Sequence, residues 1–350
     1  MIRAIENPII TKSHIKPTSE HLKVDGVFNC GATIYQDRYV LLLRIAESAK
    51  SKPGFIDVPL INEDGELIIK SLDKNNNDYV FHDSRTISNK HKKVEYLTSL
   101  SHFRRAFSND GIHFKIDEKP WIFPYGKMES WGIEDPRITL MDDEYHIIYT
   151  AVSSYGVTCG HIVTKDFESY ERKGIILPVD NKDASLFPEK INNQYVLYHR
   201  PIPSDIGYPN MWIAKSHDLV HWGEHEVLLS VGKDGWDSGR IGGGAPSIKT
   251  PYGWLHIYHA ASKEKPVYAL GAFLSDINHP EIITHKTEQP ILKPEEVYER
   301  EGFFGDVVFT CGAILKDDQL MIYYGAADDK IGLATITLHE LYQQLKPYRG

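Results

Sequence analysis

Cysteine is scarce: three residues in 350, at positions 30, 159 and 311. A set that is odd in number and widely spaced supports neither a disulfide framework nor the paired spacings of a metal site. It points to reduced thiols and a cytoplasmic setting. Long apolar runs are missing as well. No stretch approaches the roughly 18 residues of a membrane span, and the start, Met1-Ile-Arg-Ala-Ile-Glu-Asn-Pro, is no signal peptide. Positive charge is in deficit: 39 Lys and Arg against 48 Asp and Glu leave a net charge of -9. Nucleic acid and anionic membrane are therefore repelled overall, which leaves room for a local basic pocket. HExxH, Walker and GxSxG motifs do not occur, and Gly242-Gly-Gly lacks the strand-then-helix context of a nucleotide loop. What remains is an ordinary soluble composition, 41% hydrophobic and 25% charged, ample for a core.

Repetition is the strongest organising signal. Five strand-like endings recur: Tyr39-Val-Leu-Leu-Leu-Arg, Tyr145-His-Ile-Ile-Tyr-Thr, Tyr195-Val-Leu-Tyr-His-Arg, Trp254-Leu-His-Ile-Tyr-His and Leu320-Met-Ile-Tyr-Tyr-Gly. Each follows an Asp-, Asn- or Gly-containing turn and a shorter apolar strand, the signature of a hairpin. A second outline, a small hydroxyl residue and an Asp, recurs at Asp110, Asp166, Asp218 and Asp276 with steps of 56, 52 and 58 residues. Hairpin plus turn makes a unit of four antiparallel strands, repeated five times. Radial repetition of such sheets predicts an all-β, five-bladed β-propeller formed by residues 1–350 as a single domain. Phe28-Asn-Cys-Gly-Ala and Phe309-Thr-Cys-Gly-Ala, from the first and fifth units, would be neighbours in a closed ring. Residues 46–95 interrupt the first unit and are predicted to be an insertion, a lid or an oligomer contact. Thr337 and Glu340 form a capping box ahead of Leu338, Leu341 and Leu345, which predicts a closing helix over 337–346.

Polar residues gather where these strands begin and end. Strand ends offer Arg44, Thr150, His199, Arg200, Tyr258, His259 and, beyond Tyr324, Asp328. Strand starts offer Asn29, Glu134, Asp135, Arg137, Lys182, Asp183 and Asp306. One such residue is a solvated rim; a ring of them implies a polar pocket at the axis. Cations crowded into an acidic protein suggest a bound anion, since Arg grips phosphate bidentately and Lys acts as a point charge. The segment Gly132-Ile-Glu-Asp-Pro-Arg holds the best candidate for a catalytic acid, Asp135. Pro136 is expected to push Asp135 toward extended backbone.

GIEDPRIT, FNCGAT with LLLR, KDASLFPEK with YVLYHRP, IGGGAPSI with IYHA, and GFFGDVVFTCGA with YYGAAD resemble glycoside hydrolase family 130, the inverting β-mannoside phosphorylases of five-bladed propeller fold. The resemblance runs from about residue 25 to residue 336 and is closest to members acting on β-1,2-mannobiose and β-1,2-oligomannan. It implies phosphorolysis of a β-mannoside to α-mannose 1-phosphate, with inorganic phosphate as co-substrate, no other cofactor and no metal. It makes Asp135 the general acid, acting directly or through a mannose hydroxyl. It gives Asn29, Arg44 and Asp306 to the non-reducing mannose. Lys182, His199 and Arg200 fall in phosphate-binding segments, which Tyr258 and His259 can join. Arg137 binds phosphate or orients Asp135. Arg104 or Arg105 matches a substrate-facing arginine. A phosphorylase needs only the acid, because phosphate is its own nucleophile; a hydrolase needs a second carboxylate with room for water. A raised pKa would keep Asp135 protonated near neutral pH. The alternatives are a phosphorylase for β-1,4-mannosides, a β-mannoside hydrolase, and a sugar-binding propeller without activity. The acceptor sugar and any homo-oligomer stay open.

Overall fold

The structure, a computed structural model, describes residues 1–81 and 84–349; residues 82 and 83 of the expected insertion, and Gly350, lie outside the described residues. The chain is all-β. All five predicted hairpins form, each closed by a two-residue loop, with Tyr35 opposite Arg38, Met141 opposite Glu144, Ile191 opposite Gln194, Thr250 opposite Gly253 and Lys316 opposite Gln319. Gln36–Asp37, Asp142–Asp143 and Asn192–Asn193 all have φ between +49° and +64°. Paired left-handed residues match the twist of the flanking strands, which explains the Asp and Asn there.

Each hairpin gains outer strands in chain order. Leu22–Tyr35, Arg38–Ala49 and Ser99–Ser108 form the first unit, with Lys115–Ile116 on its edge. Gly132–Met141, Glu144–Ser153, Gly156–Thr164 and Glu171–Leu177 form the second. Asn181–Leu186, Tyr195–Pro201, Met211–Ser216 and Trp222–Leu229 form the third. Gly253–Ala261, Tyr268–Ser275 and Ile283–Thr287 form the fourth, with Arg240–Gly243 and Ile248–Thr250 as an interrupted inner strand. Val308–Lys316, Gln319–Ala326 and Lys330–Thr337 form the fifth, and Ile2–Arg3 from the N-terminus supplies its outer strand. Units one and two share a single parallel bridge, Gly132 to Ser101. The recurring Asp turns end the third strands. Asp110 Oδ1 accepts from the backbone of Ile112 and His113, Asp166 from Glu168 and Ser169, Asp218 from Val220 and His221, Asp276 from Asn278 and His279.

The apolar core is divided into layers between consecutive units. Val40, Leu42 and Phe103 pack on Ile133 and Ile147; Ile148 and Cys159 on Ala184 and Leu197; Tyr198 and Met211 on Trp254 and Phe273; Leu255 and Leu270 on Val308 and Ile322. A further layer joins Val27 and Leu41 of the first unit to Met321, Tyr323 and Ile331 of the fifth. The two Cys-Gly-Ala copies meet there. A Cβ on Gly312 would stand 2.8 Å from Cys30 O and 2.6 Å from Ala32 Cβ, so small-residue packing accounts for them. All three cysteines are free and buried.

The capping box forms as predicted: Thr337 Oγ1 accepts from Glu340 N at 3.2 Å and caps the helix Leu338–Gln344. Leu345–Pro347 then leaves the helix and pairs with Ile283–Thr287, a strand too short to show in periodicity. The first unit's second strand runs on to Ala49, and the insertion is folded. Phe55–Ile61 pairs with Leu67–Asp73, and Tyr79–Phe81, Thr86–Asn89 and Val94–Leu97 form a three-stranded sheet. Val58, Leu72 and Ile87 are their common core.

Gly31 packs at the seam between units one and two, where a Cβ would stand 2.7 Å from Pro136 O and 2.9 Å from Ile138 Cγ1. Gly31→Ala is expected to destabilise by about 1–3 kcal/mol through overpacking, read as a lowered urea midpoint at unchanged m-value.

Candidate active site

Three inner strands break their ladders in the same way. The pairing skips Asn29 and Cys30 in the first unit, Asp135 and Pro136 in the second, Asp183 and Ala184 in the third. In each case two residues oppose one, a β-bulge, which re-aims the side chain it carries. Asn29, Asp135 and Asp183 have φ of +50°, +52° and +55°. Asn and Asp tolerate this left-handed conformation better than other side-chain-bearing residues. The expectation of extended backbone at Asp135 is thus corrected: the bulge overrides the preference set by Pro136. Pro136 in turn is tolerated because a bulge residue needs no ladder N–H.

Asp135 is 2% exposed. Its Oδ1 accepts from Asn29 Nδ2 at 3.0 Å and from an Arg44 terminal nitrogen at 2.7 Å. Arg44 also bonds Glu134 Oε1 at 2.7 Å and Ser101 Oγ at 3.1 Å, with its guanidinium 4.6 Å over the Phe28 ring. Burial pushes the Asp135 carboxyl up, but the charges of Arg44, Lys182 and Arg137 outweigh it and hold the group below the usual carboxylate range. The raised pKa that would keep Asp135 protonated near neutral pH is therefore not found; a list of residues does not show how many cations converge. Asn29 Oδ1 is buried without a partner, and Asp135 Oδ2 takes no hydrogen bond from the described residues.

Asp183 organises the other half. It is fully buried and meets Arg200 Nε at 2.6 Å, His259 Nε2 at 3.2 Å and Arg137 at 3.4 Å. Burial raises its pKa, and Arg200 and His259 more than reverse the effect, leaving it well below the carboxylate range. Arg137 is also buried and spends its donors on Gly244 O, Gly243 O and Asp135 O at 2.8, 2.7 and 3.1 Å. Of the two roles open to Arg137, this geometry favours orienting the Asp135 bulge. Gly242 makes room for His259, since a Cβ would stand 2.6 Å from its Nε2. Burial lowers His259 to about 4, so it is neutral at pH 7. The terminal nitrogens of Arg200 have no partner among the described residues, and Lys182 makes no ion pair or hydrogen bond among them. Two cations with unspent donors beside Asp183 form a cradle for an anion.

Other sequence candidates make no hydrogen bond or ion pair with this cluster among the described residues. Arg104 stands opposite Leu43, on the face away from Arg44, where it bonds Glu118 O and Thr18 Oγ1 at 2.8 and 3.0 Å. Arg105 pairs with Asp117 at 2.6 Å. His199 bonds Asn181 and His225 at 3.0 and 3.1 Å. Tyr258 stacks on Trp236 with ring centres 5.6 Å apart, inside the layer between units three and four. Asp306 sits half-exposed, 3.5 Å from Lys265. For His199 and Tyr258 the cause is alternation: neighbours on a strand point to opposite faces, and Arg200 and His259 take the face toward the cluster; Arg104 lies on the face away from Arg44 for the same reason. Asp183 and Asp328 were undervalued from sequence. Asp183 shares the bulge pattern of a small polar residue followed by a small or proline residue, a signal present in the sequence. Asp328, at φ +48°, is pushed to about 6 by burial, with Arg44 opposing and Asp135 and Glu134 adding. Among the described residues no group of three or more His, Cys, Asp or Glu is placed to hold a metal, and no helix is long and apolar enough to cross a membrane.

The buried imidazoles set an acid limit. Burial lowers His161, His199 and His256 to about 3 and His259 to about 4. The unfolded chain takes up these protons near pH 6.5, so stability is full above about 6.5 and falls as pH drops toward 4. Asp328, raised to about 6, acts in the opposite sense, as do Asp25 and Glu129, also raised by burial, but six lowered imidazoles, His102 and His146 among them, outnumber these three. The urea midpoint is expected to fall between pH 7.5 and pH 5; a flat profile would mean the imidazoles are charged in the native state.

A sequence model of a family described as beta-1,4-mannooligosaccharide phosphorylase matches residues 86–347. The chain is 44% identical over 345 residues to a beta-1,2-mannobiose phosphorylase of Listeria innocua, covering 97% of each. It is 41% identical over 253 residues to a 1,2-beta-oligomannan phosphorylase of Thermoanaerobacter, covering 71% of this chain and 82% of that one. A solved structure of the beta-1,2-mannobiose phosphorylase from Listeria innocua in complex with beta-1,2-mannobiose superimposes with a TM-score of 0.94 over 98% of both chains. With a family match across most of its length and relatives this similar, the chain belongs to glycoside hydrolase family 130.

Proposed function

We propose that the chain is a five-bladed β-propeller enzyme that carries out inverting phosphorolysis of β-1,2-linked mannobiose and mannooligosaccharides, releasing α-mannose 1-phosphate and the shortened sugar. The five units, layered in order with the fifth packed on the first, support the propeller. The names of the relatives at 44% and 41% identity support the β-1,2 linkage over the β-1,4 of the family description. The cysteine pattern supports a cytoplasmic setting.

One observation carries the chemistry: a buried acid, Asp135, shares its pocket with cations whose donors are unspent. Asn29 Oδ1 and Arg44 hold hydroxyls of the non-reducing mannose, beside Asp328. Lys182, the terminal nitrogens of Arg200 and neutral His259 receive phosphate. Phosphate attacks the anomeric carbon from the face opposite the leaving sugar, the C1–O bond breaks, and configuration inverts. The leaving oxygen takes its proton from Asp135, directly or through a mannose hydroxyl. Monohydrogen phosphate carries one proton that the phosphate ester lacks, and that proton restores the acid. The low pKa of Asp135 fits this cycle, since a bound dianion offsets the cations that keep it ionised. Glu134 is tied to Arg44, and Asp183 to Arg200, Arg137 and His259, so the carboxyl left to activate water in a hydrolase is Asp328, which makes no hydrogen bond or ion pair among the described residues.

Incubation with β-1,2-mannobiose is expected to yield mannose 1-phosphate only when phosphate is present. Phosphate-independent release of mannose would make the enzyme a hydrolase, and no turnover of any β-mannoside would make it a binding module. Asp135→Asn is expected to lower turnover by about 10²–10⁴-fold, the usual contribution of a positioned acid, with an unchanged circular dichroism spectrum. Arg200→Ala is expected to raise KM for phosphate more than KM for mannobiose.

A further inference from the structure

The segment between Ala49 and Ser99 is not part of the repeat, yet it is fixed at both sides of the candidate site. On one side Ile61 N donates to Ser130 O at 3.0 Å, and Glu63 pairs with Lys127 at 3.1 Å, just ahead of the strand that carries Asp135. On the other, the Arg85 guanidinium lies 3.9 Å over the ring of Phe304. Phe304 N donates to Ala327 O at 3.0 Å, which places its backbone next to Asp328. The backbone at Arg85 is held by Thr98 N, which donates to Arg85 O at 2.8 Å. The insertion therefore spans the end of unit one, from unit two to unit five, at the end where Asp135, Arg44 and Asp328 lie. Asp328 feels the charge of Arg85.

We propose that Arg85, set over Phe304, is a specificity-determining residue that binds the sugar that leaves: the mannosyl unit on the reducing side of the cleaved bond. The inference rests on the phosphorolysis proposed above. With the non-reducing mannose against Asn29 and Arg44, and phosphate against Lys182 and Arg200, the leaving unit projects outward, toward the end that the insertion spans. A guanidinium donates hydrogen bonds to sugar hydroxyls, and the Phe304 ring beneath it fixes its position.

The test runs the reaction in the synthetic direction, from mannose 1-phosphate and mannose, with wild type, Arg85→Ala and Arg85→Lys. Arg85→Ala is expected to raise KM for the mannose acceptor by about tenfold, the loss of one charge-assisted hydrogen bond. KM for mannose 1-phosphate is expected to stay within about twofold, Arg85→Lys to recover part of the loss, and the melting temperature to be unchanged. An unchanged acceptor KM, or an equal rise in both constants, overturns the role of Arg85. Wild type inactive in both directions overturns the phosphorolysis itself and the inference with it.

Discussion

Three of the five units meet at one guanidinium. Arg137 grows from the second unit, donates to the carbonyls of Gly243 and Gly244 in the fourth, reaches Asp183 in the third, and turns back to the carbonyl of Asp135. A buried charge is costly unless its donors are met and its charge is balanced. Each nitrogen of Arg137 has an acceptor, and Asp183 supplies the counter-charge. That requirement fixes how the inner strands approach the axis, and the bulge at Asp135 inherits its position from it. Removing the Asp183 carboxylate would leave Arg137 and Arg200 facing each other in a dry interior, so the organisation of the site and the packing of the units share one interaction.

The electrostatics follow from the same arrangement. Asp183 consumes part of the positive charge, but Lys182 and the outer nitrogens of Arg200 stay available. Asp135 then sits in a positive field that burial alone would not predict. The pocket has a surplus of unsatisfied donors and an ionised acid, an arrangement that suits an anion and a sugar. The unpartnered Asn29 Oδ1 belongs to the same description: a buried acceptor without a donor is expensive in isolation and useful where a hydroxyl is to be bound.

Much of the architecture was legible in the chain. The two-residue loops, the Asp turns closing the third strands and the capping box at Thr337 are local chemistry, governed by φ preferences and short-range hydrogen bonds. So were the all-β class and the positions of the polar clusters at strand ends. Less legible was which member of each cluster faces the axis. His199 and Arg200, and Tyr258 and His259, are adjacent pairs of which one member joins the cluster, whereas Lys182 and Asp183 both do, because the bulge at Asp183 breaks the alternation. Arg104 and Arg44 lie on paired strands with opposite faces. The third strand pairing, Leu345–Pro347 on Ile283–Thr287, joins residues nearly sixty positions apart and leaves no periodic trace.

The sequence by itself determined the elements, their fivefold repetition and the inventory of charged groups, because turn chemistry and alternation act over a few residues. Only the tertiary structure decided which of those groups share a pocket. Convergence at an axis depends on bulges, on glycines such as Gly242 that admit a neighbour, and on packing between units. It also decided the charge state of Asp135, because a pKa is set by every charge within reach, and those charges come from three separate strands.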